Sequence, residues 1–344
     1  MSIYSPFKVV HHIDKIELLR SNELPVPAQV QIDLINSCNH NCTYCVHRSN
    51  DEKEGVDFDK KHYIRTEKML ILLEELKNIG VKAVILQGGG EPFLHSGITK
   101  VLKKINKLGL EFAIVSNGTL IKDEHMPLLR KASWIRFSID AASEDTYQRV
   151  QQTKNNIPKD IIKKIVQYCP DTIIGMSFLT KPENYQEAYD FAKMAKELKV
   201  DNIRYSIVQT LDGQDIIEPY YEEYFSLLKK AKNLETEEFR IFGLKDRRKA
   251  LKNNKNYPKC YYQHFVTTIA ANGNIYPCCW TKNLTRFSMG NINNRSFEEV
   301  WFGEKRRKHL KKHDLKKCPP CWFDKTNKLI NYMLKDDPEH VNFV

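Results

Sequence analysis

Six apolar runs, each followed by an amphipathic segment, leave this chain few folds to choose from. The runs start near residues 30, 83, 112, 134, 172 and 202. Residues 65–79, 99–108, 123–131, 157–169 and 185–198 read as the helices between them, and 221–234 follows the last run. In 65–79 the apolar positions Met69, Leu70, Leu72, Leu73 and Leu76 suit one buried helical face, and Gly80 stops the helix. Short apolar strands alternating with helices are the units of a parallel α/β sheet. Six units fall short of the eight that close a full barrel. In such sheets chemistry collects at the C-terminal ends of the strands, so function is sought in the residues that follow each run.

The first run delivers the chain into Cys38-Asn39-His40-Asn41-Cys42-Thr43-Tyr44-Cys45, three cysteines at spacing C-x3-C-x2-C. Three thiolates hold three irons of a 4Fe–4S cluster and leave the fourth iron open for chemistry, whereas a fully thiolate-ligated cluster mainly carries electrons. The competing reading is a zinc knot, which wants a fourth ligand that His40 or His47 could supply. The nine cysteines are an odd number, and most sit in such clusters. That argues for metal binding in a reducing compartment, hence a cytoplasmic protein, and against a disulfide framework. No apolar stretch approaches the ~18 residues of a membrane span, and the N-terminus lacks the pattern of a secretion signal.

The second run ends in Gln87-Gly88-Gly89-Gly90-Glu91-Pro92, the third in Ser116-Asn117-Gly118, and the fourth in Ser138-Ile139-Asp140. Taken singly, a glycine run or Ser-Asn-Gly is a turn, and an aspartate such as Asp140 is a helix cap. Taken with the cysteines, these motifs resemble the radical S-adenosylmethionine (SAM) superfamily, in which an aromatic residue, here Tyr44, precedes the last cysteine of the triplet. The resemblance implies a partial (β/α)6 TIM-like barrel and a catalytic cluster on Cys38, Cys42 and Cys45. It implies SAM bound by its amino group at Gly88, Gly89, Gly90 and Glu91, with the glycines letting backbone approach the ligand. Small polar contacts to its carboxylate and ribose come from Ser116, Asn117, Ser138 and Asp140. Met176, beside Gly175 on the fifth run, occupies the place of adenine contact. The chemistry implied is one-electron cleavage of SAM to a 5′-deoxyadenosyl radical, fed by a donor such as flavodoxin or ferredoxin, followed by hydrogen abstraction from the substrate.

A second cysteine set follows. Residues 267–276 read as a strand, an Asn-Gly turn and a strand. Cys260, Cys278, Cys318 and Cys321 suffice to saturate one cluster or one zinc. Their C-x17-C … C-x2-C pattern is similar to a SPASM/twitch extension, a small α+β domain holding an auxiliary 4Fe–4S cluster. The further cysteines of a full SPASM array are absent, so one auxiliary cluster is expected. Cys169 reads as core, and 297–309 as an amphipathic helix. Cys279 is the candidate hydrogen-atom donor; its plainer reading is a small buried residue beside the cluster.

The expected domains are a leader over 1–28, the barrel over 29–244 and the auxiliary-cluster domain over 245–344. The net charge of +11 lies in the last of these: 245–259 and 304–317 each contribute six positive charges. That basicity marks either a solvated helix face or a site for an anionic partner. The expected reaction is dehydrogenation or epimerisation of a small polar molecule such as a sugar, aminocyclitol or nucleotide sugar. The segment before the first strand is short for a leader-peptide-recognition domain, so peptide (RiPP) modification ranks second. tRNA or other nucleic-acid modification ranks third. A non-catalytic cluster or zinc module that binds nucleic acid is disfavoured by an intact glycine–glutamate motif.

Each of Cys38→Ala, Cys42→Ala and Cys45→Ala removes one of only three thiolates in the loop. Each is expected to abolish reductive cleavage of SAM by the reconstituted protein, scored as 5′-deoxyadenosine.

Overall fold

The computed structural model describes residues 5–47, 55–208, 216–243 and 255–335. Eight strands run parallel: β1 (Gln29–Asp33), β2 (Ala83–Gln87), β3 (Glu111–Ser116), β4 (Trp134–Ser138), β5 (Ile173–Thr180), β6 (Asn202–Ile207), β7 (Arg240–Phe242) and β8 (Val266–Ile269). β9 (Asn274–Tyr276) pairs antiparallel with β8, and β10 (Gly290–Asn291) pairs antiparallel with β9. The order is β10-β9-β8-β1-β2-β3-β4-β5-β6-β7. The sheet is an open, partial barrel: its two edge strands, β10 and β7, do not pair with one another. The six expected strands are β1 to β6, in sequence order and each parallel to the next. The expected hairpin is β8–β9, and its first strand continues the barrel sheet by pairing along β1 from Gln29↔Val266 to Ile32↔Ile269.

Helices α1 (Ile13–Arg20), α2 (Thr66–Asn78), α3 (Ile98–Leu108), α4 (Met126–Leu129), α5 (Glu144–Gln151), α6 (Lys159–Tyr168), α7 (Ala188–Glu197) and α8 (Tyr221–Lys232) accompany the parallel strands. Alternate strand residues, among them Val30, Ile32, Val84, Leu86, Phe112, Ile114, Phe137, Met176 and Tyr205, join the main apolar core with residues of the helices. The register puts the intervening residues on the opposite, inner face. There β1 contributes Gln31 and Asp33, β4 Arg136 and Ser138, β5 Gly175 and Ser177, and β6 Arg204. The runs that look continuously apolar are therefore amphipathic, with a polar face reserved for the interior.

α5 was not foreseen, because only Tyr147 and Val150 among its apolar residues are buried and the segment reads as polar. The segment 297–309 is two helices, α9 (Phe297–Trp301) and α10 (Glu304–Lys312). They break at Gly303, where the backbone turns extended and a Cβ would stand 2.4 Å from the Glu299 carbonyl oxygen. α11 (Asp324–Met333) closes the described chain. Cys169 is in the main core, as expected.

Within the second basic segment one cation, Arg306, serves the core, and the other Lys and Arg residues are exposed. Arg306 is fully buried, lies 3.5 Å from the centre of the Trp301 ring and donates to the Trp301 carbonyl. Arg307 donates to Phe302 O and Lys308 pairs with Glu304. Most of the first basic segment, 244–254, lies outside the described residues. Among the described residues no helix is long and apolar enough to cross a membrane.

Trp301 ties this C-terminal region to the chain ahead of β1, since its Nε1 donates to Pro25 O at 2.9 Å. It also stacks on Phe297 and carries Arg306. Trp301→Ala is expected to destabilise the protein by ~3–5 kcal/mol, read as a lower urea midpoint by circular dichroism. Trp301→Phe should recover most of that loss.

Candidate active site

The end of β1 organises the site. Asp33, its last residue, is fully buried on the inner face. From there the chain passes through Asn36 and Ser37 into the cysteine loop. The glycine motif after β2 packs directly onto this passage. Gly90 N donates to Ile35 O and Glu91 N to Ser37 O. A Cβ on Gly90 would sit 1.8 Å from Ser37 O, and one on Gly89 would sit 2.1 Å from Asn36 Oδ1. Glycine is required here so that two loops can touch. These glycines thus make close approach to the chain's own residues 36 and 37.

Glu91 is 3% exposed. Its carboxylate accepts from Phe93 N at 3.1 Å, Ser116 Oγ at 2.7 Å and Asn117 N at 2.8 Å. Burial raises its pKa, and these three donors oppose the rise. A carboxylate has about four acceptor positions, so one remains for an ammonium group. Glu91, Ser116 and Asn117 thus form one cluster that joins the ends of β2 and β3. Asn117 also donates to Asn39 Oδ1 within the cysteine loop at 2.9 Å.

The far side of the loop is held by Asp140 and by a residue the sequence did not flag, Gln151. Tyr44 OH donates to Asp140 Oδ2, and Asp140 Oδ1 accepts from Leu179 N at 2.6 Å. Burial lifts Asp140 to a pKa of about 6, against those hydrogen bonds. Its backbone has φ of +62°, in the left-handed region that suits aspartate at a turn, so it is not a helix cap; Ser143 caps α5 instead. Gln151, at the end of α5, is 1% exposed. Its Oε1 accepts from Cys42 Sγ at 2.9 Å and lies 3.2 Å from His40 Nδ1. Its Nε2 donates to Tyr44 OH and to the Ser138 and Ile139 carbonyls. A polar helix ending in glutamine gave no signal of this; only its burial against the loop reveals it.

His40 Nε2 meets Asn155 Nδ2 at 3.3 Å, so both its ring nitrogens are occupied. His47 stacks on Phe58. Neither completes a zinc knot, and the triplet stands as three thiols. Met176 lies where adenine contact was expected, but its side chain is fully buried in the core on the helix side of β5. Any contact from this position is therefore made by backbone or by its inward neighbours Gly175 and Ser177.

The second cysteine set lies around one cavity. Cys260, Cys278, Cys318 and Cys321 line one cavity with Tyr257, Tyr262, Trp280 and Phe323 among its walls. Burial raises all four thiols, Cys318 to about 12, and Cys278 raises the other three further. An all-thiol donor set in an aromatic shell fits an iron–sulfur cluster. Cys279 lies beside Cys278, Lys282 and Asp33, whose charges act on its thiol. Lys282 Nζ meets Asp33 at 2.6 Å, both side chains being buried. This pair joins the auxiliary-cluster loop to the end of β1.

Sequence comparison agrees with this geometry. Residues 32–195 match the radical SAM superfamily and residues 260–322 match the SPASM iron–sulfur cluster-binding domain. The chain is a radical SAM enzyme with a SPASM domain, which implies a catalytic 4Fe–4S cluster, an auxiliary cluster and SAM. It is 24% identical over 288 residues to the antilisterial bacteriocin subtilosin biosynthesis protein AlbA of Bacillus subtilis, covering 82% of this chain and 61% of AlbA. It is 24% identical over 304 residues to the tungsten-containing aldehyde ferredoxin oxidoreductase cofactor-modifying protein of Pyrococcus furiosus, covering 80% of each. Streptococcus suis SuiB has the same fold. The SAM-bound form aligns with TM-score 0.65 at 16% identity, over 88% of this chain and 73% of SuiB. The form bound to precursor peptide SuiA aligns with TM-score 0.64 at 15% identity, over 98% and 80%.

Glu91→Ala is expected to weaken SAM binding by roughly 10- to 150-fold, the worth of one charge-assisted hydrogen bond. Iron content should be unchanged. Titration of SAM into the reconstituted protein, with iron assayed in parallel, checks both.

Proposed function

We propose that this enzyme modifies a peptide. The observation that carries the reading is the likeness to AlbA, which runs through both the barrel and the auxiliary-cluster region. The precursor peptide bound to SuiB shows that a chain of this fold can take a peptide. The open sheet is compatible with one, since β7, a strand of only three residues, ends the sheet among the described residues. This reverses the order expected from the sequence, where a small polar substrate came first. That order rested on the length of the segment ahead of β1, which carries no weight on substrate class.

When bound, the open-iron cluster and SAM supply a carbon-centred radical able to take a hydrogen atom from the substrate. The chain's own residues hold the pieces. Glu91 offers its remaining acceptor position to the ammonium of SAM. Ser138 and Asp140 stand at the end of β4 for polar contact with SAM, and Gln151 fixes the loop that carries Cys42. The thiols of the auxiliary domain are brought to the barrel by Lys282 and Asp33. Cys279, in the same loop, is the proposed hydrogen-atom donor.

The test is anaerobic turnover of the reconstituted enzyme with SAM, a reductant and the short peptides encoded beside its gene, followed by mass spectrometry. One of these peptides is expected to change mass in step with 5′-deoxyadenosine formation. If none changes while a sugar, aminocyclitol or nucleotide sugar is converted, the peptide reading falls.

A further inference from the structure

The last turn of α10 leads into a short relay of two rings and a sulfur. His309 lies in that turn, and His313 directly follows the helix. His309 Nε2 is 3.0 Å from His313 Nδ1, and His313 Nε2 is 3.3 Å from Cys318 Sγ. The buried Phe287 ring meets both imidazoles, with ring centres 6.3 Å away for His309 and 5.7 Å for His313. His313 also lines the cavity of the four auxiliary thiols.

The link from His313 to Cys318 is held in place. Asp314 Oδ1 accepts from Lys316 N at 2.9 Å, and Cys318 N donates to Leu315 O at 3.2 Å. Lys255 Nζ donates to the Leu315 and Cys318 carbonyls at 2.8 and 2.9 Å. Ring and sulfur are therefore fixed relative to one another. The two rings do not converge on a metal of their own, since one nitrogen of each is taken up by the other ring.

A cysteine bound to iron is a thiolate and only accepts. His313 Nε2 then carries the hydrogen and donates to Cys318 Sγ. Burial favours the neutral form of both rings. A neutral imidazole has one donor nitrogen and one acceptor, so His313 Nδ1 accepts from His309 Nε2. His309 thereby fixes the tautomer that presents N–H to the sulfur. The other sulfurs are met by donors too. Thr281 Oγ1 stands 3.6 Å from Cys278 Sγ, and backbone N–H groups favour the thiolates of Cys260, Cys278 and Cys321. One-electron reduction puts more negative charge on the sulfurs, so a donor aimed at one favours the reduced cluster.

We propose that His313 and His309 are positioning residues of the auxiliary cluster, which raise its reduction potential through a hydrogen bond to Cys318. A cluster so held takes up an electron more readily. The inference rests on the four thiols holding that cluster and is independent of the substrate.

The test uses the full-length chain with Cys38→Ala, Cys42→Ala and Cys45→Ala, reconstituted with iron and sulfide, so that the auxiliary cluster alone reports. Its midpoint potential is read by redox titration followed by electron paramagnetic resonance, with iron content and circular dichroism in parallel. His313→Leu is expected to shift the reduction equilibrium roughly tenfold toward the oxidised cluster, a fall of about 59 mV for one electron. His309→Leu should lower the potential less. Combining the two should add nothing to His313→Leu, because His309 acts through His313. His309→Gln, whose amide can still donate to Nδ1, should stay close to the parent. Pulsed resonance on the reduced parent with isotope-labelled histidine should show a weak histidine nitrogen coupling, a measurement that needs no further substitution. An unchanged potential in His313→Leu with iron retained, additive shifts of the two variants, or no histidine coupling overturns the proposal. A coupling of directly ligating strength makes His313 a ligand and overturns it as well. Zinc without iron at these thiols removes the cluster and the proposal with it.

Discussion

A buried ion pair at the end of β1 is the joint on which the two halves of this enzyme depend. Asp33 is the last residue of the central strand and has no exposed surface. Burial raises its pKa even though Lys282 beside it favours the charged form. A carboxylate and an ammonium taken out of water are costly singly, and removal of either partner from such a pair typically costs about 3–5 kcal/mol. The pair is therefore poor as a source of net stability and effective as a constraint. It fixes the loop that carries Cys278 and Cys279 to the strand that delivers the catalytic cysteines.

The same strand explains why the sheet has its order. β1 pairs in parallel on both sides, with β2 from the barrel and with β8 from the C-terminal region. The catalytic loop leaves the end of β1, and the auxiliary loop leaves the hairpin beside it. Because β9 runs antiparallel, Cys278 leaves the hairpin toward the start of β1, and the Lys282–Asp33 pair ties its loop back to the end of that strand. The ladder gives coarse placement, and the contacts of residues 88–91 with 35–37, together with Gln151, give the fine placement.

Division of labour between the faces of the sheet runs through the molecule. Outward positions are aliphatic and aromatic and pack under the helices. Inward positions carry amides, hydroxyls, carboxylates and arginines. A closed eight-stranded barrel fills its centre with side chains. Here the sheet stays open and the centre is left for SAM and substrate.

The sequence by itself determined the parallel sheet, the three-thiol loop, the motifs that follow β2, β3 and β4, and the four-thiol C-terminal set. These were legible because each depends on local spacing: helix and strand periods, turn residues, and cysteines close along the chain. Tertiary structure alone decided the rest. Gln151 sits more than a hundred residues from the loop it holds, on a helix with little apolar signal. Lys282 finds Asp33 from the other end of the chain. Met176 was placed on the right strand but faces the core, because the two-residue period of a strand sends neighbours to opposite faces and register settles which. The glycine motif also packs on residues 36 and 37, a contact that its spacing does not announce. Contacts between residues remote in sequence leave no spacing to read, and they exist only once the sheet has set its order.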